Sequence, residues 1–315
     1  MTENKKISIM GVRGAGKTCY IYAMAQVMQA GARNEDTVIS MISNSITQQT
    51  KLNSGYSLLA RNEWPAGTAD SSSERIYDFR VRLEHADNFM DVIPSLLVRD
   101  YRGGVLTGDG GMDDFSNLLN FFSDSCSVIF LIDGSTLLNA MDALDLEPEH
   151  RVVRTPMEIL EARNQISFIE NLFLEYRKNN SDKKIPPVMV AITKADLFAS
   201  KEELAAGKKL VRRYLSSIFA KGTGVDSAIT AVSLGDNLTH EAGNRLTGNL
   251  KLNMDGNIHI PIIYSLYAYL DSEYDRYPKE RQAFIDSVLA SLRDMLSGRV
   301  DMYGNGYPVF QIRCL

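Results

Sequence analysis

The stretch of this chain with the clearest chemical potential is GVRGAGKT, at residues 11–18. It fits the spacing G-x-x-x-x-G-K-[ST], in which the glycines let consecutive backbone N–H groups turn toward one anion. Lys17 adds a mobile positive charge for the outer phosphates, and Thr18 offers a hydroxyl to a magnesium ion. The spacing therefore predicts a Walker A loop that binds a phosphorylated ligand. The residues predicted to line it are Gly11, Arg13, Gly14, Ala15, Gly16, Lys17, Thr18 and Cys19.

The segments on either side are those that such a loop needs. Residues 6–10, KISIM, are a short apolar run typical of a buried strand, and residues 19–30, CYIYAMAQVMQA, have the apolar content of a buried helix. A helix that begins at the loop directs the positive end of its dipole toward a bound phosphate. The alternative is a chance glycine-rich turn, and the strand before the loop together with the helix after it argues against that alternative.

A second candidate ligand group lies at the end of a predicted hairpin. Residues 77–83 alternate apolar and polar side chains, and a turn at residues 85–88 leads into a strand predicted at residues 91–99. Asp100 follows that strand, where an open α/β sheet presents groups to a ligand, and it would hold magnesium directly or through water. Gly103 lies three residues further on, where its backbone N–H could contact a γ-phosphate.

A third motif, Thr193-Lys194-Ala195-Asp196, follows the buried strand predicted at residues 187–193. A carboxylate only accepts hydrogen bonds. Guanine presents two donors on one edge and adenine does not, so Asp196 would match guanine and leave adenine unpaired. An ordinary surface Lys-x-Asp is the alternative interpretation, and the companion motifs favour the binding interpretation. We take Thr193, Lys194 and Asp196 as candidate nucleotide contacts.

These motifs, with Ser233 and Leu234 after a last short strand at residues 228–232, occur in order and each at a strand end. In this arrangement the sequence resembles the P-loop GTPases of the translation-factor and Ras-like class. The resemblance covers about residues 5–297, with longer intervals than in a minimal Ras-like domain. It looks closest to bacterial Ras-like GTPases with insertions.

The resemblance implies roles for individual residues. Asp196 would accept hydrogen bonds from guanine N1 and N2, and the stem of Lys194 would lie along the ring. Ser233 and Leu234 would present backbone N–H groups to guanine O6, although the family usually has alanine after the serine. Thr68 is the candidate for the switch threonine that reaches magnesium when a γ-phosphate is present.

Three positions leave alternatives open. Thr37 competes with Thr68 for the switch role, and an ordinary loop threonine is the other interpretation of Thr68. Gly104 stands where many Ras-like proteins carry the glutamine that orients the attacking water. Arg13 stands where they usually have glycine; it would act as an arginine finger in cis, crowd the γ-phosphate, or make a surface ion pair, and the sequence does not decide between these roles.

The composition argues against several classes of protein. A net charge of −5 and a pI of about 5.5 argue against a nucleic-acid surface. The three cysteines form no C-x-x-C pair and the four histidines do not pair at metal-ligand spacing, which argues against a disulfide framework or a zinc site. The first residues run directly into a strand, so we expect no signal peptide, and the longest apolar stretch, residues 258–270, is too short for a transmembrane segment. We expect a cytoplasmic protein.

The order of strands and helices predicts an α/β fold, with a mostly parallel sheet and helices on both faces. We expect one enlarged nucleotide-binding domain at residues 1–297, with insertions at residues 31–73, 134–154 and 235–257 and a tail at residues 298–315. These insertions are predicted to be weakly structured or loop-like.

Three functions are compatible with these motifs. The first is a switch that binds GTP or GDP with Mg²⁺ and hydrolyses GTP slowly, with a protein effector or activating protein as partner. Its catalytic residues would be Lys17, Arg13 and Thr68, and its metal ligands Thr18, Thr68 and Asp100. The second is a GTP-bound scaffold with negligible hydrolysis, which Gly104 favours. The third is an ATP-driven P-loop enzyme, against which Asp196 argues.

Overall fold

The computed structural model describes residues 5–12, 14–65, 75–86, 88–100, 112–145, 155–180, 184–241 and 245–309. Its strands are β1 (Lys5–Met10), β2 (Ala32–Arg33), β3 (Thr37–Ser43), β4 (Arg75–His85), β5 (Asn88–Asp100), β6 (Ser127–Asp133), β7 (Val188–Thr193), β8 (Asp226–Ala231), β9 (Gly235–Glu241), β10 (Arg245–Leu250), β11 (Val300–Gly304) and β12 (Tyr307–Pro308). Its α-helices are α1 (Lys17–Ala30), α2 (Ile46–Ala60), α3 (Met112–Ser123), α4 (Gly134–Asp145), α5 (Pro156–Asn164), α6 (Ile166–Asn179), α7 (Lys201–Tyr214), α8 (Ser216–Phe219), α9 (Ile260–Ser272) and α10 (Lys279–Leu296).

Ten of the described strands form one sheet, in the order β12-β11-β8-β7-β6-β1-β5-β4-β3-β2. In its middle, β5, β1, β6, β7 and β8 run parallel. Every residue of β7, and all but the last of β6, is buried, so both faces of these strands are covered. Burial on both faces explains why central parallel strands occur as continuous apolar runs in the sequence.

The sheet is mixed, so the prediction of a mostly parallel sheet is wrong. On one side β4 pairs antiparallel with β5, β3 with β4 and β2 with β3; on the other side β11 pairs antiparallel with β8 and with β12. The β4–β5 connection lies between His85 and Asn88, and so short a connection requires the two strands to run in opposite directions. The predicted α/β class, helices packed on a large sheet, is confirmed.

The carboxyl ends of the central strands lie along one edge of the sheet. β1 ends at Met10, β5 at Asp100, β6 at Asp133 and β7 at Thr193. The pairing registers place Asp100 opposite Ile9, and Asp133 opposite Thr193. Because these strands are parallel, the segments that follow them are neighbours, and this edge is where open α/β sheets bind their ligands.

Residues 32–60 form β2, β3 and α2, so the prediction of a weakly structured interval is wrong there. Ser45 caps α2 by accepting a hydrogen bond from the backbone N–H of Gln48. The helix packs against α1 through Gly55, where an added Cβ would lie 2.3 Å from the Tyr22 ring. A helix that contacts its neighbour through a glycine buries few large apolar side chains. Its apolar residues therefore show little helical periodicity in the sequence.

Two further intervals and the tail also contain regular structure. Residues 134–145 form α4, and residues 235–250 form the antiparallel β9–β10 hairpin, so the loop predictions are wrong for both. Residues 300–304, in the predicted tail, form β11, which pairs along β8 in the main sheet. Such a pairing joins segments far apart in sequence and leaves no local period from which to predict it.

Helix α9 is buried along Ile260–Leu270. It lies against β6, β7 and β8 and against α10. Ser265 in this helix donates a hydrogen bond to Ser127 Oγ at 2.9 Å, which satisfies two buried hydroxyls between helix and sheet. Among the described helices, none is both long enough and apolar enough to cross a membrane.

Candidate functional site

The glycine-rich loop, residues 11–16, connects β1 to α1. Gly14 and Gly16 have φ angles of 87° and 83°, in the left-handed region that costs little only for glycine. Gly11 lies against β6, where an added Cβ would be 2.8 Å from the carbonyl oxygen of Leu131. The backbone therefore takes the tight path that the glycine spacing predicts, with the predicted strand before it and the predicted helix after it.

Lys17 begins α1, and its side chain folds back onto the loop. Its Nζ donates hydrogen bonds to the carbonyl oxygens of Gly11, at 2.6 Å, and Val12, at 2.9 Å, and the residue is 8% exposed. A positive charge is therefore held against the loop backbone. Thr18 and Cys19 follow in the first turn of the helix and are partly buried.

The N-terminus of α1 is suited to an anion. Gly16 occupies the N-cap position and supplies no side-chain cap, and the first turn contains no acidic residue. The first N–H groups of a helix need external acceptors, and the helix dipole makes a negatively charged acceptor favourable. The first turn of α1 therefore contributes no carboxylate of its own to this end of the helix.

Thr193 joins the TKAD segment, residues 193–196, to the glycine-rich loop. Its Oγ1 donates to the carbonyl oxygens of Ala15, at 3.0 Å, and Ile132, at 3.1 Å. The residue is 6% exposed, so these contacts are shielded from water. Two motifs separated by 178 residues along the chain are therefore in direct contact.

Lys194 has a left-handed backbone, with φ of 55°, and its Nζ lies 3.0 Å from the Asp133 carboxylate. The same carboxylate accepts hydrogen bonds from Ser135 N at 3.0 Å and Ser135 Oγ at 2.7 Å. Asn164 Oδ1 accepts from Asp133 N at 2.9 Å. Asp133 and Ser135 contact Lys194, and Asn164 contacts Asp133; none of the three is among the residues predicted from the sequence. The available signal is the one used for Asp100, a carboxylate at the end of an apolar strand.

Asp196 lies in a 3₁₀ turn, Ala195–Leu197. Its Oδ1 accepts a hydrogen bond from Ser233 Oγ at 3.0 Å, and its Oδ2 accepts one from the backbone N–H of Leu238 at 3.0 Å. A carboxylate has about four lone-pair positions, so these two bonds leave acceptor capacity for a ligand. Ser233 is predicted as a contact of guanine O6 and not of Asp196, and Leu238 belongs to an interval predicted as a loop.

Ser233 and Leu234 follow β8. The Ser233 N–H donates to the carbonyl oxygen of Gly256 at 2.9 Å, so it is engaged within the protein and is not available for the predicted contact with guanine O6. An added Cβ at Gly256 would lie 2.0 Å from the Ser233 carbonyl oxygen, which explains the glycine there. Leu234 is partly buried, and its carbonyl oxygen accepts from Lys251 N at 2.8 Å.

Three predicted site residues, Arg13, Thr68 and Gly103, lie outside the described part of the chain. Asp100 is described as the last residue of β5, and its register places it one strand spacing, about 4.8 Å, from the end of β1. The backbone of β5 thus ends at Asp100 on the same edge of the sheet as the glycine-rich loop, and a carboxylate and a hydroxyl are the kinds of oxygen ligand that Mg²⁺ prefers. Within the described ranges, no group of three or more His, Cys, Asp or Glu side chains could hold a metal ion.

Thr37, the competing candidate for the switch threonine, lies at the opposite end of the sheet. Thr37 pairs with His85, and His85 pairs with Asn88 at the start of β5. Asn88 lies about 40 Å along β5 from Asp100. Thr37 is 1% exposed, and its Oγ1 lies 2.6 Å from His85 Nδ1. A buried threonine at this position cannot reach a ligand at the loop, so this alternative is wrong.

No protein-family model matches the chain. A search of curated proteins gives no significant match. The functional inference therefore depends on the geometry, in which the glycine-rich loop, the TKAD segment and residues 233–238 lie together at one edge of the sheet.

Proposed function

We propose that this protein binds guanine nucleotides and acts as a molecular switch, with slow Mg²⁺-dependent hydrolysis of GTP. The observation that carries the proposal is the hydrogen bond from Thr193 Oγ1 to the Ala15 carbonyl oxygen. It holds the glycine-rich loop and the TKAD segment together at the strand ends where such sheets bind ligands. A ligand that spans the two would place phosphates at the loop and a base at the TKAD segment.

The phosphates would lie at the glycine-rich loop and the start of α1. Lys17 donates to two neutral carbonyl oxygens there. Hydrogen bonds to a charged acceptor are roughly twice as strong as those to a neutral one, so phosphate oxygens would compete well for this ammonium. The helix N-terminus, with no acidic residue in its first turn, would add to the attraction.

The base would lie against Lys194 and Asp196. The Asp196 carboxylate would accept from the N1–H and the 2-amino group of guanine, through the lone pairs that Ser233 and Leu238 do not use. Adenine would place a ring acceptor against the same carboxylate. The salt bridge to Asp133 holds the Lys194 head group, so that the stem is in place to lie along the ring.

Slow hydrolysis follows from the residues near the γ-phosphate. When bound, Mg²⁺ supplies charge neutralisation at the β- and γ-phosphate oxygens, and Thr18 and Asp100 would hold it, with Thr68 as the switch residue. Gly104 has no side chain to orient a water molecule. Arg13 is therefore the residue expected to decide how slow the reaction is.

A scaffold with negligible hydrolysis is the second candidate. Gly104, in place of a water-positioning glutamine, is the observation that favours it. Nucleotide binding would be the same for both candidates. Single-turnover hydrolysis of bound GTP separates them, because the scaffold would show no turnover above the uncatalysed rate.

The experiment that tests the proposal starts with the nucleotide itself. Nucleotide released from the purified, denatured protein should be GTP or GDP when separated by chromatography. In calorimetry with Mg²⁺, GTP and GDP should bind far more tightly than ATP and ADP. Equal affinities for GTP and ATP would contradict the proposed role of Asp196.

Matched lysine variants show whether binding occurs at the loop. Lys17→Ala removes the ammonium at the glycine-rich loop. Lys208→Ala removes an ammonium on α7 that pairs with Asp301 in β11. We expect the first variant to lose GTP affinity and the second to retain it. Both should stay folded without nucleotide; a Lys17→Ala protein that melts many degrees lower in the absence of nucleotide would indicate a structural role for the loop.

A further inference from the structure

The β9–β10 hairpin, residues 235–250, lies beside the proposed base site. It contacts the 3₁₀ turn that carries Asp196, yet forms a separate two-stranded sheet among the described strands. Its residues 242–244 lie outside the described part of the chain. An element at this position would form one wall of the base end of a nucleotide site.

The hairpin contains a β-bulge that directs one backbone group toward the site. The pairing register of its two strands shifts at Gly248, which has φ of 103°. An added Cβ there would lie 2.4 Å from the carbonyl oxygen of Asn237. Bulges turn backbone groups out of the ladder and are common beside binding sites. Leu238 lies at this irregularity, between the paired residues Asp236 and Thr239, and its N–H donates to Asp196 Oδ2.

The far side of the hairpin is fixed to the end of α2. The Leu246 N–H donates to the carbonyl oxygen of Asn62 at 2.8 Å, and the Leu246 side chain is buried. Glu63 forms an isolated β-bridge with Arg245. These contacts hold β10 in place, so β9 and the Leu238 N–H are held against Asp196 by more than their own hydrogen bond.

We propose that the Leu238 N–H is a positioning group for base recognition, through which the hairpin sets the preference for guanine. This inference rests on the proposed function. The bonds from Leu238 N and Ser233 Oγ fix the plane of the Asp196 carboxylate. A carboxylate held in one plane can accept from the N1–H and the 2-amino group of guanine together, whereas a rotating one meets both in only some of its orientations.

Hypoxanthine is the probe for this positioning, because it keeps the N1–H of guanine and lacks the 2-amino group. A well-oriented carboxylate gains a second hydrogen bond from guanine only. Loss of orientation should therefore weaken GTP binding more than binding of inosine triphosphate. A hairpin that acts only on stability would change both affinities equally, so the ratio of the two reports positioning.

The test compares three proteins. Leu238→Pro removes the N–H, and Leu238→Ala keeps the N–H while shortening the side chain. The wild-type and Leu238→Ala proteins should each bind GTP at least about tenfold more tightly than inosine triphosphate. That ratio of affinities corresponds to one hydrogen bond to a charged group. Leu238→Pro should lose most of that preference, with GTP affinity about tenfold lower.

A second variant guards against distortion of the hairpin by proline. A backbone ester at position 238, made by replacing leucine with its α-hydroxy acid, removes the N–H and leaves the side chain unchanged. It should lower the GTP preference in the same direction, with a melting temperature near that of wild type without nucleotide. If the Leu238→Pro and ester proteins both keep the wild-type preference for GTP over inosine triphosphate, the inference is overturned and the proposed function is left intact. A wild-type protein that binds both nucleotides equally would overturn the inference and the proposed bond from the guanine 2-amino group to Asp196, while leaving nucleotide binding itself intact. A wild-type protein that binds neither would overturn both the inference and the proposed function.

Discussion

Replacing Thr193 by valine removes the hydroxyl that joins the TKAD segment to the glycine-rich loop, while the side-chain shape is nearly kept. The hydroxyl is buried and donates to two carbonyl oxygens. Loss of such a bond, with an acceptor left buried, costs about 1–2 kcal/mol. Without nucleotide, we expect the melting temperature of Thr193→Val to fall by about 1.5–3 °C.

The same change should weaken nucleotide binding if the bond preorganises the site. A nucleotide that contacts both segments would have to restore the geometry that the bond had held. The free energy needed to restore it would be lost from the free energy of nucleotide binding. A loss of 1–2 kcal/mol corresponds to a roughly 5–30-fold higher Kd for GTP. Calorimetry measures the Kd, and thermal unfolding of the nucleotide-free protein measures the stability.

Thr230→Val is the matched control. Thr230 lies in β8, next to β7, is fully buried, and its Oγ1 donates to the carbonyl oxygen of Arg299 at 2.8 Å. This variant loses a buried hydroxyl bond of the same kind away from the loop, so its stability should fall similarly and its GTP affinity should not change. Equal GTP affinities for the two variants would refute the reasoning that Thr193 couples the two motifs.

Four other outcomes are expected. Amide hydrogen exchange around Thr68 and Gly103 should be slower with a non-hydrolysable GTP analogue than with GDP; equal rates would count against a switch. Single-turnover GTP hydrolysis should be on the order of 10⁻⁴ per second or slower. Arg13→Gly should raise that rate by relieving crowding, whereas a strong fall in Arg13→Ala would instead mark an arginine finger. Burial, with the nearby Arg299 as a smaller cause, lowers the pKa of His259 to about 4. Because the unfolded chain protonates this histidine near pH 6.5, the free energy of unfolding should fall between pH 6.5 and 4, by about 3 kcal/mol in all. In denaturant titrations, His259→Gln should reduce the pH dependence of the free energy of unfolding over this range. The same pH dependence in the wild-type and His259→Gln proteins would contradict the prediction.

The parts of the site that the sequence predicts are those encoded by short motifs. Glycines at positions 11, 14 and 16 specify the loop because its backbone needs their conformations, and the apolar runs on either side specify β1 and α1. The contact between the loop and Thr193 could be expected only as proximity at a sheet edge. The hydrogen bond itself depends on tertiary packing that no local pattern encodes.

The rest could not be predicted because it depends on contacts between distant segments. The β9–β10 hairpin is rich in Gly and Asn, and its strands are half exposed, so neither shows an apolar period. Its position is set by Asn62 and by Asp196, which are far from it in sequence. The partner of Lys194, Asp133, was within reach of prediction, since it ends an apolar strand on the same edge as the TKAD segment.

The described part of the main sheet ends on each side in a strand of two residues. β2 is Ala32–Arg33 and β12 is Tyr307–Pro308, and the proline has no N–H to donate. A long, open edge strand is a template on which a second chain can add a strand, which leads to aggregation. Strands as short as β2 and β12 offer an incoming strand few backbone groups to pair with, so extension of the sheet along them is disfavoured.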